Sequence, residues 1–169
     1  QVALSLGLNY QSIPLLADSF ELNLPAMLAA IKQHQPAIIF LAYPNNPTAN
    51  LFNAQDIKSI LHASTGLVII DEAYAPFTDF SFISQLTEYK NLLVMRTVSK
   101  LGLAGLRLGF IAGNPQIINE LNKARLPYNI NTLTQCSTEF ALTHPEMFAE
   151  QTTNICHERA RMFLQLSTI

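Results

Sequence analysis

The sequence predicts an α/β fold with a three-layer, doubly wound and mostly parallel sheet. Short apolar runs rich in β-branched residues alternate with stretches whose apolar residues recur at helical spacing. Three of the apolar runs end directly in polar side chains, as strands do at the ligand crevice of an open α/β sheet. We predict strands at about 8–13, 37–42, 67–71, 91–97 and 107–112, and helices at about 1–6, 24–34, 53–63, 115–124, 133–143 and 145–166.

Local signals along the chain support these elements. Asn23 is a good cap for the helix at 24–34, and Pro25 stands in its first turn, where proline is favoured. The runs 38–43 and 67–70 are continuously apolar, which is typical of strands that are buried on both faces. Parallel strands joined by helices are therefore the expected arrangement.

The last predicted helix is long. It begins after His144 and Pro145 and keeps its apolar pattern for about twenty residues. We expect residues 1–143 to form part of a large domain whose N-terminal part is missing. We expect residues 144–169 to be a connecting helix that leads toward a C-terminal small domain outside the chain.

The composition is unusually poor in charge. Charged residues make up 13% of the 169 residues and apolar residues 49%, whereas charged residues usually make up about 25%. A domain with so little charge has difficulty covering its own surface with polar groups. We therefore expect the chain to be a fragment, covered in part by further chain or by a partner subunit.

Several classes of function are disfavoured by the same composition. The net charge is −2 and the ten Lys and Arg are scattered, which argues against a nucleic-acid partner. The longest apolar runs are far shorter than the roughly 20 residues of a membrane span. The two cysteines form no CxxC and the four histidines no HxxxH or HExxH, so we expect no metal site and a reducing, cytoplasmic setting.

A lysine and an aspartate follow two of the predicted strands. Asp71 ends the run 67–71, and Lys100 comes 29 residues later, shortly after the run 91–97. Because the carboxyl ends of parallel strands meet at one edge of a sheet, we expect the two side chains to converge. Pyridoxal phosphate (PLP) needs such a pair: an amine that forms a Schiff base and a carboxylate that keeps the pyridine nitrogen protonated.

The segment 99–110 places a hydroxyl, an amine and a guanidinium among small residues. Three of the six glycines of the chain lie here, and glycine allows the backbone to approach a phosphate oxygen closely. Arg107 offers a planar fork of donors suited to such an oxygen, and Ser99 adds a hydroxyl. Taken alone, the segment fits a solvated turn equally well; the neighbouring motifs favour phosphate binding.

Two polar features have other interpretations. An apolar strand that ends in Asp71-Glu72 resembles the Walker B end of nucleotide triphosphatases, but the sequence contains no GxxxxGK[ST] loop. An acid that only caps the next segment is a further alternative. The loop 43–50 carries two prolines that turn chemistry explains, and Asn46 offers an amide that can bind a ligand. Turn chemistry does not explain why three consecutive strands end in such groups.

The ordered set of motifs resembles the fold-type-I, PLP-dependent aminotransferases of class I/II. Within them it is most similar to the histidinol-phosphate aminotransferases. The likeness covers essentially the whole chain and is specific for the superfamily, less so for the substrate. Its motifs are Ser-Phe-Glu-Leu at 19–22, Asn-Asn-Pro-Thr at 45–48, Asp-Glu-Ala-Tyr at 71–74, Arg-Thr-Val-Ser-Lys at 96–100, Ala-Gly-Leu-Arg-Leu-Gly at 104–109 and Leu-Pro-Tyr-Asn-Ile-Asn at 126–131.

The resemblance implies a role for each matching residue. Lys100 would form the Schiff base with PLP and move the proton between the substrate α-carbon and the cofactor. Asp71 would pair with the pyridine nitrogen, and Tyr74 and Asn46 would bond the phenolic oxygen.

The phosphate and the substrate have their own matching residues. Ser99 and Arg107 would hold the phosphate, while Tyr128 and Asn131 would lie near the substrate. One position departs from the pattern, since Ala49 stands where the family usually has glycine. If the backbone there requires a positive φ, alanine costs about 1 kcal/mol or more.

The resemblance also implies an activity. The intact protein would convert histidinol phosphate and 2-oxoglutarate to imidazole acetol phosphate and glutamate, as a homodimer, and the fragment alone would be inactive. Two alternatives stay open: a PLP-dependent decarboxylase of the threonine-phosphate type, and the effector domain of an aminotransferase-like transcription regulator.

Overall fold

The computed structural model describes residues 2–168 and has the predicted α/β architecture. A four-stranded sheet has the order β1-β2-β3-β4, with β1, β2 and β3 parallel and β4 antiparallel to β3. The strands are β1 Ile38–Ala42, β2 Leu67–Asp71, β3 Leu92–Thr97 and β4 Gly109–Gly113. The helices are α1 Val2–Ser5, α2 Leu24–His34, α3 Ala54–Ala63, α4 Pro115–Ala124, α5 Thr132–Leu142 and α6 Pro145–Leu166.

The helices lie where the sequence predicts them. Helices α2, α4 and α6 match their predicted ranges, and α3 and α5 each begin within one residue of prediction. The predicted helix 1–6 corresponds to α1, and its first residue lies outside the described residues. The predicted cap is confirmed, because the Asn23 side chain accepts a hydrogen bond of 3.2 Å from the backbone N–H of Ala26.

Two strand predictions need correction. The segment 8–13 forms no strand, although residues 8–11 alternate between apolar and polar side chains. Leu8 and Tyr10 are exposed, and a strand requires a neighbouring strand for its backbone hydrogen bonds, which this segment does not have. The fourth strand begins at Gly109 rather than 107, because Arg107 adopts a left-handed conformation with φ of +50°.

The core lies on one face of the sheet. Alternate residues of β1, β2 and β3 point to this face, where α2 and α3 cover them. Because these side chains are almost fully buried, they hold the three parallel strands in a single register. They are Ile39, Leu41, Val68, Ile70, Leu92 and Val94 from the strands, and Ile31, Ile57, Ile60 and Leu61 from the helices.

The opposite face of the sheet is only partly covered. Ile69 and Leu93 are buried there, but Ile38 and Phe40 of β1 are 49% and 64% exposed. Such apolar exposure on a strand fits the expectation that further chain or a partner subunit covers this protein. None of the helices within residues 2–168 combines the length and the apolar character that crossing a bilayer requires.

Candidate active site

The carboxyl ends of the parallel strands border one cleft. Ala42 and Asp71, the last residues of β1 and β2, are register partners, and Asp71 is in turn paired with Met95 of β3. The segments that follow the three strands therefore start side by side. They enclose a cleft of about 330 Å³, lined by Ala42, Pro44, Asn46, Asp71, Ala73, Tyr74 and Lys100.

Lys100 extends into this cleft from a short turn. The turn is a 3₁₀ helix over Ser99–Leu101, and Gly102, with φ of +84°, ends it in a conformation that favours glycine. The Lys100 ammonium lies 4.9 Å from the centroid of the Tyr74 ring, within the range of a cation–π contact. The amine is solvent-exposed and is positioned by an aromatic face rather than by a carboxylate.

Asp71 presents a carboxylate to the same cleft. Its Oδ1 accepts a hydrogen bond of 3.0 Å from the backbone N–H of Ala73, which orients the side chain at the end of β2. The residue is half-buried. As predicted, Asp71 and Lys100 line the same cleft.

Tyr74 and Asn46 complete the cleft. The Asn46 Nδ2 donates a hydrogen bond of 3.2 Å to the Tyr74 hydroxyl, which joins the loop after β1 to the segment after β2. The loop is braced from within by Asn45, whose Nδ2 donates to Thr48 Oγ1 at 2.6 Å. It is braced from outside by Asn50, whose Nδ2 donates to the carbonyl oxygen of residue 20 at 3.0 Å.

The same loop holds an alanine in a strained conformation. Ala49 stands where the family that the sequence resembles usually has glycine. Its φ is +61°, which lies in the left-handed region that favours glycine. We expect Ala49→Gly to raise the free energy of unfolding by up to about 1 kcal/mol, measured by urea denaturation. In the control Ala30→Gly, a glycine inside α2 should lower it by about 1 kcal/mol. A loss of stability in Ala49→Gly would contradict the assignment of strain.

The two residues predicted to hold a phosphate, Ser99 and Arg107, do not line the cleft, although Ser99 precedes Lys100 in the same turn. Ser99 Oγ accepts a hydrogen bond of 2.8 Å from Thr97 Oγ1, and Arg107 Nη1 donates one of 3.2 Å to the carbonyl oxygen of Ala104. The left-handed backbone of Arg107 is uncommon for a residue with a side chain and is typical of functional turns. Their phosphate roles stay predictions.

The two predicted substrate neighbours lie farther along the chain. Tyr128 is 98% exposed with φ of +59°, and Asn131 caps α5, accepting a hydrogen bond of 2.9 Å from the N–H of Thr134. Neither residue lines the cleft. The cap is sufficient to explain Asn131, and a substrate contact stays a prediction for both.

Glu72, which the sequence suggested only as part of the Asp71-Glu72 strand end and without a role of its own, is only 1% exposed. The charge of Glu72 contributes to the raised pKa of the Tyr43 phenol, for which burial is the larger cause. The position of Glu72 directly after an apolar strand could have indicated its burial, because neighbouring residues in extended chain point to opposite sides. If Asp71 faces the cleft, Glu72 must face the core.

A larger cleft of about 870 Å³ adjoins the first one and shares Pro44, Asn46 and Tyr74 with it. Its far wall is α6, whose Arg159 Nη1 donates a hydrogen bond of 3.2 Å to the carbonyl oxygen of Phe77. A ligand held at Lys100 therefore has open space beside it. Within residues 2–168, no group of three or more His, Cys, Asp or Glu residues is placed to hold a metal ion.

Comparison with known proteins identifies similar aminotransferases. The family model of aminotransferase class I and II matches residues 5–168. The chain is 56% identical to histidinol-phosphate aminotransferase 2 of Nitrosococcus oceani over 162 residues, which cover 96% of this chain and 45% of that protein. The chain thus spans about half the length of the curated relatives that it matches.

Solved structures resemble this one closely. The PLP complex of histidinol-phosphate aminotransferase from Sinorhizobium meliloti superposes with a TM-score of 0.83 at 26% identity, covering 95% of this chain and 45% of that chain. L-threonine-O-3-phosphate decarboxylase from Porphyromonas gingivalis superposes with a TM-score of 0.61 at 27% identity, covering 67% of this chain and 38% of that chain. Given a match over nearly its whole length and the polar cleft at the strand ends, this chain belongs to the class I and II aminotransferase family.

Proposed function

We propose that the full-length protein is a PLP-dependent aminotransferase that converts histidinol phosphate and 2-oxoglutarate to imidazole acetol phosphate and glutamate. The observation that carries the proposal is the single cleft bordered by an amine, a carboxylate and a phenol: Lys100, Asp71 and Tyr74. An amine beside a carboxylate at the ends of parallel strands suits the aldehyde and the ring nitrogen of PLP. The cleft, at about 330 Å³, lies within the usual range for small ligands.

The roles of the residues follow from their chemistry. Bound PLP supplies an electrophilic aldehyde and a ring that accepts electrons from the substrate α-carbon. Asp71 holds a proton on the ring nitrogen, because an adjacent carboxylate favours the charged form of a base. Tyr74, oriented by its hydrogen bond from Asn46, donates to the phenolic oxygen of the ring.

Lys100 has two tasks. Its amine would bind the aldehyde of PLP covalently, and it would hold and move a proton at the substrate α-carbon as a general base and acid. Among the described residues Lys100 forms no ion pair with a carboxylate, and its exposed side chain is accessible to a ligand in the cleft. Ser99 and Arg107 then hold the phosphate from the adjoining turn.

The choice of substrate rests on the relatives. The relatives described above that carry an aminotransferase name are called histidinol-phosphate aminotransferases, and the one from Nitrosococcus oceani is 56% identical. Histidinol phosphate serves as amino donor and 2-oxoglutarate as acceptor, which places the reaction in histidine biosynthesis. The structural likeness to a threonine-phosphate decarboxylase supports a second candidate, decarboxylation of a phosphorylated amino acid on the same cofactor.

We also infer that the full-length protein is a homodimer in the cytoplasm. Apolar side chains of α5 and the loop before it are exposed, among them Leu126, Leu133 and Phe140. Exposed apolar side chains in one region are typical of a subunit contact. The cytoplasmic location follows from the biosynthetic role.

One assay separates the two candidate reactions. The purified full-length protein is incubated with PLP and either histidinol phosphate plus 2-oxoglutarate or threonine O-3-phosphate alone. We expect glutamate from the first mixture and no CO2 from the second. Release of CO2 without glutamate would favour the decarboxylase, and a protein that binds no PLP would refute both candidates.

A further inference from the structure

A buried carboxylate lies directly behind the proposed site. Glu72 follows Asp71 at the end of β2, is 1% exposed, and accepts hydrogen bonds from three neighbours. Arg96 donates to Glu72 Oε2 through Nε at 3.0 Å and Nη2 at 2.9 Å, and the Phe82 N–H donates to Oε1 at 2.6 Å. The Ser81 hydroxyl lies 3.0 and 2.7 Å from the two oxygens.

This arrangement differs from the other ion pairs of the chain. The other ion pairs within residues 2–168 are Lys123–Glu120 in α4 and Arg161–Glu158 in α6. Each joins two exposed side chains that lie three residues apart. Exposed pairs of this kind contribute little. A buried carboxylate is costly unless its charge and its lone pairs are all satisfied, so the partners of Glu72 are held firmly in place.

The partners of Glu72 connect the segments that carry the site. Arg96 is the penultimate residue of β3, four residues before Lys100. Asp71 is paired with Met95, and the Glu72 N–H donates to the Met95 carbonyl oxygen at 2.8 Å, so the ion pair lies just where the strand pairing ends. The Glu72–Arg96 pair therefore holds the carboxyl ends of β2 and β3 together.

The remaining parallel strand, β1, is connected to Glu72 and its partners through aromatic contacts. Phe82 is fully buried, and its ring packs edge-on against Tyr43, with 5.4 Å between the centroids. Tyr43 follows β1, and its N–H donates to the Asp71 carbonyl oxygen at 2.8 Å. The loop with Asn46 begins at Tyr43, so all three segments that border the cleft meet at Glu72 and its partners.

We propose that Glu72 is a positioning residue, which with Arg96 and Ser81 sets the placement of Asp71 and Lys100 without touching the cofactor. Like the proposed function, on which it rests, this inference concerns PLP bound in the cleft. A neutral side chain at position 72 leaves the Arg96 charge without its partner and lets the strand tips separate. The binding of PLP then weakens even where the protein stays folded, because small displacements of reacting groups have large effects.

The test compares Glu72→Gln with a core variant, Ile57→Val, in the full-length protein. Ile57 is fully buried in α3 on the core face, so its truncation lowers stability without disturbing the strand tips. PLP affinity is measured by absorbance titration well below the unfolding temperature, and the share of cofactor on Lys100 is measured by borohydride reduction and peptide mass spectrometry. We expect Glu72→Gln to weaken PLP binding about tenfold and to lower trapping, and Ile57→Val to match the wild type.

Three results would overturn the inference. Glu72→Gln binding PLP as the wild type does would exclude a positioning role while leaving the proposed function intact. An equal loss of affinity in Glu72→Gln and Ile57→Val would assign the effect to stability alone. A wild type that binds no PLP would refute the proposed function and the inference with it. Should Glu72→Gln fail to fold, Arg96→Lys, which keeps the charge but loses the two-pronged contact, is judged by the same criteria.

Discussion

We expect Lys100→Ala in the full-length protein to abolish the proposed transamination, with a loss of at least about 10³-fold in kcat. The variant would lose both the amine that we propose binds the cofactor aldehyde and the group that we propose moves the proton at the α-carbon. Stability changes little, because the exposed contact with the Tyr74 ring is worth about 0.5–1 kcal/mol. Glutamate formation is measured at saturating substrate, and covalent cofactor is measured by borohydride reduction followed by peptide mass spectrometry.

The matched control is Lys90→Ala. Lys90 is an exposed lysine that precedes β3, at the opposite end of the strand from Lys100. It should keep wild-type activity and wild-type labelling. Full activity of Lys100→Ala, or cofactor trapped on another lysine, would refute the assignment of Lys100 as the catalytic residue.

Asp71→Asn should lower kcat by about 10²–10³-fold, a loss typical of removing one oriented electrostatic contact from an active site. The asparagine keeps the size of the side chain, and its Oδ1 can still accept the hydrogen bond from Ala73 that orients residue 71. It carries no charge, so it would lack the effect that we propose for Asp71, which is to favour a proton on the ring nitrogen. The variant therefore retains the cleft and loses the electrostatic part of its chemistry.

Two comparisons isolate that charge effect. Asp18→Asn changes an exposed acid in a turn and should have no effect on kcat or on thermal stability. The unfolding temperature of Asp71→Asn should stay close to that of the wild type. If Asp71→Asn turned over substrate at the wild-type rate, the pairing of Asp71 with the cofactor ring would be excluded.

Much of the site could be predicted because its residues lie at ends of strongly apolar strands. The run 67–71 could hardly be anything but a buried strand, so Asp71 had to lie at its carboxyl edge. The run before Lys100 allowed the same argument. Asn46 and Tyr74 belong to the segments after β1 and β2, and their position in the cleft follows from the same parallel topology.

Other features could not be derived in this way. Residues 8–11 alternate as a strand does, yet whether a strand forms depends on a pairing partner that local sequence does not encode. The left-handed backbone of Arg107 and the separation of Ser99 and Arg107 from the lining of the cleft depend on how the turn packs beside β4. The partners of Glu72 come from two separate places along the chain, residues 81–82 and Arg96, and no spacing rule connects them.

The order and type of most elements, the family resemblance and the candidate lysine–aspartate pair could be read from the sequence, because periodicity and short motifs are local properties of the chain. The folded chain was needed to see which polar side chains share a cleft, which face of β1 stays exposed, and that Glu72 and Arg96 join the ends of β2 and β3. Those outcomes depend on contacts between residues distant in the chain. Their energies arise only when the sheet and its helices have assembled.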